Sequence, residues 1–162
     1  MRLYVIRHAE AVAQGQDGIE RDEDRPLTAA GKEQSRRLAQ ALRNQGVALD
    51  KLLTSPLKRA RETAEDILAA WGDGAPALAE TETLSPGAKK KKLIRELLAA
   101  GGEAVAIVGH NPDLSDLIGW LIGEKSANLS LAKAGIACIE FEGSPCKECG
   151  TLAWLVSPEW YG

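Results

Sequence analysis

This chain has only two histidines, and each stands where an apolar run gives way to a polar turn: Arg7-His8-Ala9 near the start, and Gly109-His110-Asn111-Pro112 later on. An imidazole can act near neutral pH as nucleophile, base or charged donor. A third segment, Ser55-Pro56-Leu57-Lys58-Arg59-Ala60, adds a second arginine to the one beside His8. Guanidinium groups are permanent cations whose forked donors suit phosphate oxygens. Phosphoryl transfer asks mainly for positioning and for positive groups around the equatorial oxygens. Together these residues point to phosphate chemistry, with His8 as the phosphoryl acceptor and Arg7, Arg59 and His110 as the groups that hold the anion. The chain has no Walker-type loop, no H-E-x-x-H and no aspartate-rich pattern, so the reading is a mechanism without metal or cofactor.

The elements that must position these residues follow from periodicity. Arg2 to Ile6 is a short β-rich run, and Ala104 to Val108 is continuously apolar, as a strand buried on both faces should be. Leu52-Leu53 centres a strand within Val47 to Thr54. Ala77 to Thr83 is a short extended piece, and Gly135 to Phe141 and Thr151 to Val156 are two further strands. Helical spacing recurs after Thr28, which is placed to cap Leu38, Ala41 and Leu42. Ser55-Pro56 reads as a cap followed by proline in the first turn of a helix through Ala60, Ala64, Ile67 and Leu68. Two more helices carry Leu93, Ile94, Leu97 and Leu98, and then Leu114, Leu117, Ile118 and Leu121. Strand–helix alternation predicts an α/β layer sandwich with a largely parallel sheet. In such sheets sites form at the carboxyl ends of strands, and all three motifs lie there. Two helix N-termini, after Ser55 and after His110, would add backbone N–H groups. Trp71, Trp120 and Trp154 read as core packing.

The bulk numbers are consistent with this. A chain of 162 residues fits one domain spanning residues 1–162. A net charge of −3 offers no global field for nucleic acid or an anionic membrane. The N-terminal apolar stretch is too short for a signal peptide, and no run approaches membrane-spanning length, so a cytoplasmic location is expected, and the expected oligomeric state is a monomer. Lys89 to Lys92 read as a solvated helix face, with a docking patch for an acidic partner as the second reading. Cys138, Cys146 and Cys149 are an odd number, against a disulfide framework. Cys146-x-x-Cys149 lacks the four ligands of a structural zinc and reads as two thiols in a surface loop.

Arg7-His8, Ser55-Pro56-Leu57-x-Arg59-Ala60-x-x-Thr63-Ala64 and Gly109-His110-Asn111-Pro112 together resemble the histidine phosphatase superfamily. Their order and spacing, with Leu27-Thr28-x-x-Gly31, are most similar to its SixA-type phosphohistidine phosphatase branch. The resemblance spans nearly the whole chain. It implies a three-layer sandwich of the phosphoglycerate-mutase type, with a central, mostly parallel mixed sheet. It also implies a phosphohistidine intermediate on His8, in a pocket formed by Arg7, Arg59 and His110 with Asn111. Ala9 departs from the glycine that many members carry there.

A carboxylate that protonates the leaving group is harder to choose. Glu82, just before Leu84-Ser85-Pro86, leads, with Glu80, Asp22 and Asp24 as alternatives. A phosphoramidate demands little of this acid, because a protonated imidazole leaves far more readily than an alkoxide. The expected function is removal of phosphate from histidine on a phosphorylated protein, a signalling or phosphotransfer domain. The alternative is a phosphomonoesterase or mutase acting on small phosphate esters. A non-catalytic phosphate-binding module is the third reading, and the presence of His8, both arginines and His110 argues against it.

Overall fold

Parallel pairing of the apolar runs builds the centre of the molecule. The computed structural model describes residues 1–124 and 128–161. Strand β1 (Arg2–Arg7) pairs in parallel with β4 (Ala104–Gly109), and β2 (Lys51–Thr54) and then β3 (Ala77–Glu80) continue the sheet in parallel. On the other side of β1, β5 (Ile136–Glu140) and β6 (Thr151–Val156) add antiparallel strands. The order is β3-β2-β4-β1-β5-β6, a mixed sheet that is parallel in its first four strands.

Alternate side chains of a strand face opposite ways, so β1 supplies two cores. Leu3 and Val5 join Ile107 on one face and pack on Leu93, Leu97, Leu117, Ile118 and Leu121. Those residues belong to α3 (Lys90–Ala100) and α4 (Asp113–Ile122). Tyr4 and Ile6 join Ala106 and Val108 on the opposite face, against α1 (Ala29–Asn44) and α2 (Lys58–Trp71) through Leu38, Leu42, Ala60, Ala64 and Ile67. The result is three layers, helices on both sides of one sheet.

Local chemistry sets the helix boundaries. The Thr28 hydroxyl accepts from the Gly31 N–H at the start of α1, as expected of a cap. Gly31 cannot carry a side chain, because a Cβ there would lie 2.0 Å from the Glu10 carbonyl oxygen. That contact accounts for the Thr28-x-x-Gly31 spacing. Helix α2 departs from expectation. It begins at Lys58 with Leu57 as the capping residue, so Pro56 precedes the helix instead of opening it. Ser55 does accept from the Leu57 N–H at 3.3 Å, but its hydroxyl also faces His110.

Two other expectations change. Trp71 is buried, but Trp120 is only partly so, and Trp154 is 36% exposed on β6, the sheet edge, with its ring 6.0 Å from that of Tyr4. An edge strand has no outer neighbour to cover it. Cys146 and Cys149 are joined as a disulfide in the β5–β6 loop, not two free thiols, while Cys138 is buried and free. Among the described residues no group of histidine, cysteine and carboxylate side chains could hold a metal ion. No helix among them is long and apolar enough to cross a membrane.

Parallel direction places the carboxyl ends of β1, β2 and β4 on one edge. Arg7 is in register with Gly109, and Thr54 with Val108. Beyond the strands the ladder continues, with His8 N–H donating to the Gly109 carbonyl and Ser55 N–H to the Val108 carbonyl, both at 3.0 Å. The three motifs therefore begin side by side.

Candidate active site

His8 and His110 meet across this edge, their ring centroids 5.2 Å apart and their planes tilted by 51°. Both are buried. His8 Nδ1 lies 2.8 Å from the Ala9 carbonyl oxygen. A carbonyl can only accept, so Nδ1 carries the proton and Nε2 keeps its lone pair. The backbone thus selects the tautomer that leaves Nε2 nucleophilic. Ala9 is itself held, because its N–H donates to Thr63 Oγ1, which donates in turn to the Arg59 carbonyl. This chain of bonds gives a structural reason for Thr63 in the second motif and ties α2 to the end of β1. Ala9 is fully buried, and its φ is not among those in the left-handed region, so the backbone here takes an ordinary conformation that a methyl group allows.

His110 is held differently. Its Nε2 lies 2.9 Å from Ser55 Oγ, and its Nδ1 is buried without a partner. Burial, the neighbouring Arg59 and His8 push its pKa down to about 3. Burial lowers His8 to about 4 against the opposing pull of the Ala9 carbonyl, with Arg59 and Arg7 adding to the depression. Both imidazoles are therefore neutral at pH 7 in the unliganded site, which a nucleophile requires.

The cations are arranged around them. Arg7 donates from Nη1 to the Leu131 carbonyl, and Asn111 Nδ2 donates to the same oxygen. Arg59 is buried and uses both terminal nitrogens on Asp22, one on the carbonyl at 2.8 Å and one on the carboxylate at 3.0 Å. Arg7 Nε, Arg59 Nε, His110 Nδ1 and Asn111 Oδ1 are all buried and unpartnered. Orphaned buried donors are costly in a folded protein. Arg7 Nε and Arg59 Nε are donors, as is His110 Nδ1 when it carries the ring proton, and a phosphoryl group supplies acceptors of the matching kind.

The carboxylates divide clearly. Asp22, in the short 3-10 turn Asp22–Asp24, bridges Arg59 and Arg25, whose Nη1 lies 2.9 Å from its other oxygen. Burial alone would raise its pKa, but the two guanidinium groups outweigh that and hold the carboxyl below its ordinary value. Glu82 is exposed in the turn Glu82–Leu84 and accepts from Ser85 Oγ. The next residues, Thr83, Leu84 and Ser85, line a small cavity with His110. Glu80 and Asp24 are exposed, and neither bonds to the two histidines or the two arginines.

Sequence reasoning missed two contributors. Arg25 had no motif to mark it. The segment Leu131–Gly135 braces the pocket chiefly through its backbone, and Ala134 joins Ala9 in a small buried apolar cluster. Its Leu131 carbonyl orients Arg7 and Asn111, and the Ala134 N–H lies within bonding distance of the Arg7 and His8 carbonyls. Backbone contacts leave no residue-type signal.

Known proteins are similar to this chain in sequence and fold. The model of the histidine phosphatase superfamily (branch 1) matches residues 3–85. An uncharacterised protein of Picosynechococcus sp. is 34% identical over 99% of this chain and 98% of its own length. The phosphohistidine phosphatase SixA of Escherichia coli is 27% identical, covering 98% of this chain and 94% of its own. Among solved structures, the protein histidine phosphatase SixA complexed with tungstate superposes with a TM-score of 0.82 at 26% identity, covering 98% of this chain and 97% of the other. This chain belongs to the histidine phosphatase superfamily.

Proposed function

We infer that this protein removes phosphoryl groups through a covalent phosphohistidine on His8, and that its substrate is phosphohistidine on a signalling or phosphotransfer protein. The observation that carries the chemistry is the set of buried, unpartnered donors, Arg7 Nε, Arg59 Nε and His110 Nδ1, beside a histidine whose Nε2 is free. In the first step His8 Nε2 attacks phosphorus. The P–Nε2 bond forms, the bond to the leaving group breaks, and the leaving group takes up a proton. The ring then bears a positive charge with a proton still on Nδ1, which the Ala9 carbonyl stabilises. Water attacks phosphorus in the second step, its proton passes to solvent, and His8 departs as neutral imidazole. Arg7, Arg59 and His110 hold the oxygens throughout, and the charge they supply is set in place before reaction. Asn111 supports the substrate-binding side by sharing the Leu131 carbonyl with Arg7.

Glu82 is the proposed proton donor, and Asp22 is its rival. For Glu82→Gln a larger loss is expected with alkyl phosphate esters than with phosphohistidine, since only the alkoxide needs a strong proton donor. Equal losses would remove Glu82 from that role. An Asp22→Asn variant showing the ester-selective loss instead would transfer the role to Asp22.

The choice of substrate rests on coverage. The SixA match spans 98% of the chain, whereas a probable phosphoglycerate mutase GpmB of Yersinia enterocolitica, 36% identical, spans 44%. A monomer acting in the cytoplasm on a phosphorylated protein is the corresponding setting. The test is a ranking of kcat/KM over phosphohistidine proteins, sugar phosphates and phosphoglycerates. Phosphohistidine should rank first, and a leading phosphoglycerate or sugar phosphate would overturn the substrate class while leaving the chemistry on His8 intact.

A further inference from the structure

Lysines 89–92 open α3 in a sequence of four consecutive cations, within a chain whose net charge is −3. The placement works against the helix. Cations at a helix N-terminus oppose its dipole, and the first turn of α3 holds no acidic residue. Helix stability therefore does not account for the run.

Topology fixes where it stands. Helix α3 leads into β4, whose carboxyl end carries Gly109 and His110, so α3 runs antiparallel to β4 and its N-terminus lies at the edge that holds His8 and His110. The loop before it is fastened to that edge, because the Gly87 N–H donates to Asp113 Oδ2 in the first turn of α4. Lys90 lines the same small cavity as His110, Thr83 and Ser85. Lys89, Lys91 and Lys92 are exposed.

The nearby acids are already engaged. Asp113 accepts from Gly87, Asp116 lies 3.9 Å from Lys90 Nζ, and Glu82 accepts from Ser85. Among the described residues Lys89, Lys91 and Lys92 have no carboxylate partner. Arg95, exposed one turn on, extends the same sign of charge. Three exposed lysines without an ion-pair partner among the described residues therefore stand at the sheet edge that holds His8 and His110.

We propose that this lysine rim is a docking surface for the acidic face of a protein or peptide that presents its phosphohistidine to His8. The inference rests on the phosphohistidine reading above and adds the chemistry of the surface around the phosphorylated residue. A small phosphate ester would not reach three lysines on the rim, whereas a folded domain or a flanked peptide would. Rim charges act mainly on encounter and on salt dependence.

The experiment uses the full chain and its triple variant Lys89→Gln, Lys91→Gln, Lys92→Gln. Lys90, which shares the cavity with His110, is left in place. Two histidine peptides are phosphorylated with phosphoramidate, one with aspartate and glutamate flanks and one with serine and alanine flanks. An aryl phosphate serves as the small substrate. The variant should fold with unchanged or raised thermal stability, because it relieves the cations at the helix start, and should keep its aryl phosphatase rate. Wild type should prefer the acidic peptide at low salt. The variant should lose about five- to tenfold in kcat/KM on that peptide alone, with a flatter salt dependence. Equal rates on both peptides for wild type, or an equal loss on both for the variant, would overturn the docking surface and leave the phosphohistidine reading standing. Aryl phosphatase activity with no turnover of either peptide would overturn both. A variant that misfolds would show that the lysines serve the helix, and would also overturn the proposal.

Discussion

The ends of β1 and β4 hold one histidine each, 5.2 Å apart, and the two are held for different work. At the end of β1 a backbone carbonyl accepts a hydrogen bond from His8 Nδ1 and leaves Nε2 free. At the end of β4 a side chain, Ser55, takes the Nε2 of His110 and leaves Nδ1 without a partner. A backbone contact cannot be rearranged by proton transfer at the carbonyl, so it commits His8 to one tautomer. A hydroxyl can donate or accept, so His110 keeps the freedom to donate to an anion when one arrives. In the proposed mechanism one strand end prepares the nucleophile and its neighbour prepares a donor.

Breaking the two ends should not cost the same. His8→Ala is expected to lower hydrolysis of an aryl phosphate by about four orders of magnitude, as loss of a nucleophile does. His110→Ala should cost about a hundredfold, the effect of losing one donor to developing charge. Steady-state assays of both variants check the ranking, and equal losses would erase the distinction between them. Next in size is Arg59→Ala. Vanadate or phosphate should bind about 10- to 100-fold more weakly, from the typical worth of hydrogen bonds to charged groups, and titration calorimetry reads this directly. An unchanged affinity would mean that Asp22, which already occupies both terminal nitrogens, keeps Arg59 out of the anion site.

A smaller effect separates the supports. Ser55→Ala should reduce kcat/KM by about three- to tenfold through His110, while phosphorylation of His8 in a single turnover still occurs. A loss as large as that of His110→Ala would mean that Ser55 itself touches the substrate.

The pH dependence of stability tests both ends together. The folded values, about 4 for His8 and about 3 for His110, lie below the ordinary 6.5. Between those values the unfolded chain binds protons that the native state does not. Stability is therefore fully present above about pH 6.5 and falls as the pH drops toward 4. Urea midpoints should decline over that window, and a variant with both histidines replaced by glutamine should lose most of the slope.

The two sides of the pocket also differ in how they could be read. The motif side was legible because its chemistry resides in residue types at strand ends. Apolar runs located β1 and β4, and the carboxyl-edge rule then brought Arg7, His8, Arg59 and His110 together. The other side was not legible. Asp22 was one carboxylate among four candidates, and only its contact with Arg59 distinguishes it. Leu131 to Gly135 contributes carbonyls and N–H groups, which every residue has. Ser55 was read as a helix cap because serine before proline is a common start signal. Its closer partner is His110, at 2.9 Å, and α2 starts three residues later. Trp154 reads as core packing in the sequence, but strand order puts it on the edge.

The most direct test is to find where the phosphoryl group resides during turnover. Rapid acid-free quenching of enzyme with a labelled aryl phosphate or phosphohistidine peptide, followed by intact-protein mass spectrometry and peptide mapping, would locate it. The account predicts one acid-labile, base-stable phosphoryl group on Nε2 of His8, still formed in His110→Ala and absent in His8→Ala. A label on His110 or on another residue, or full turnover by His8→Ala, would contradict it.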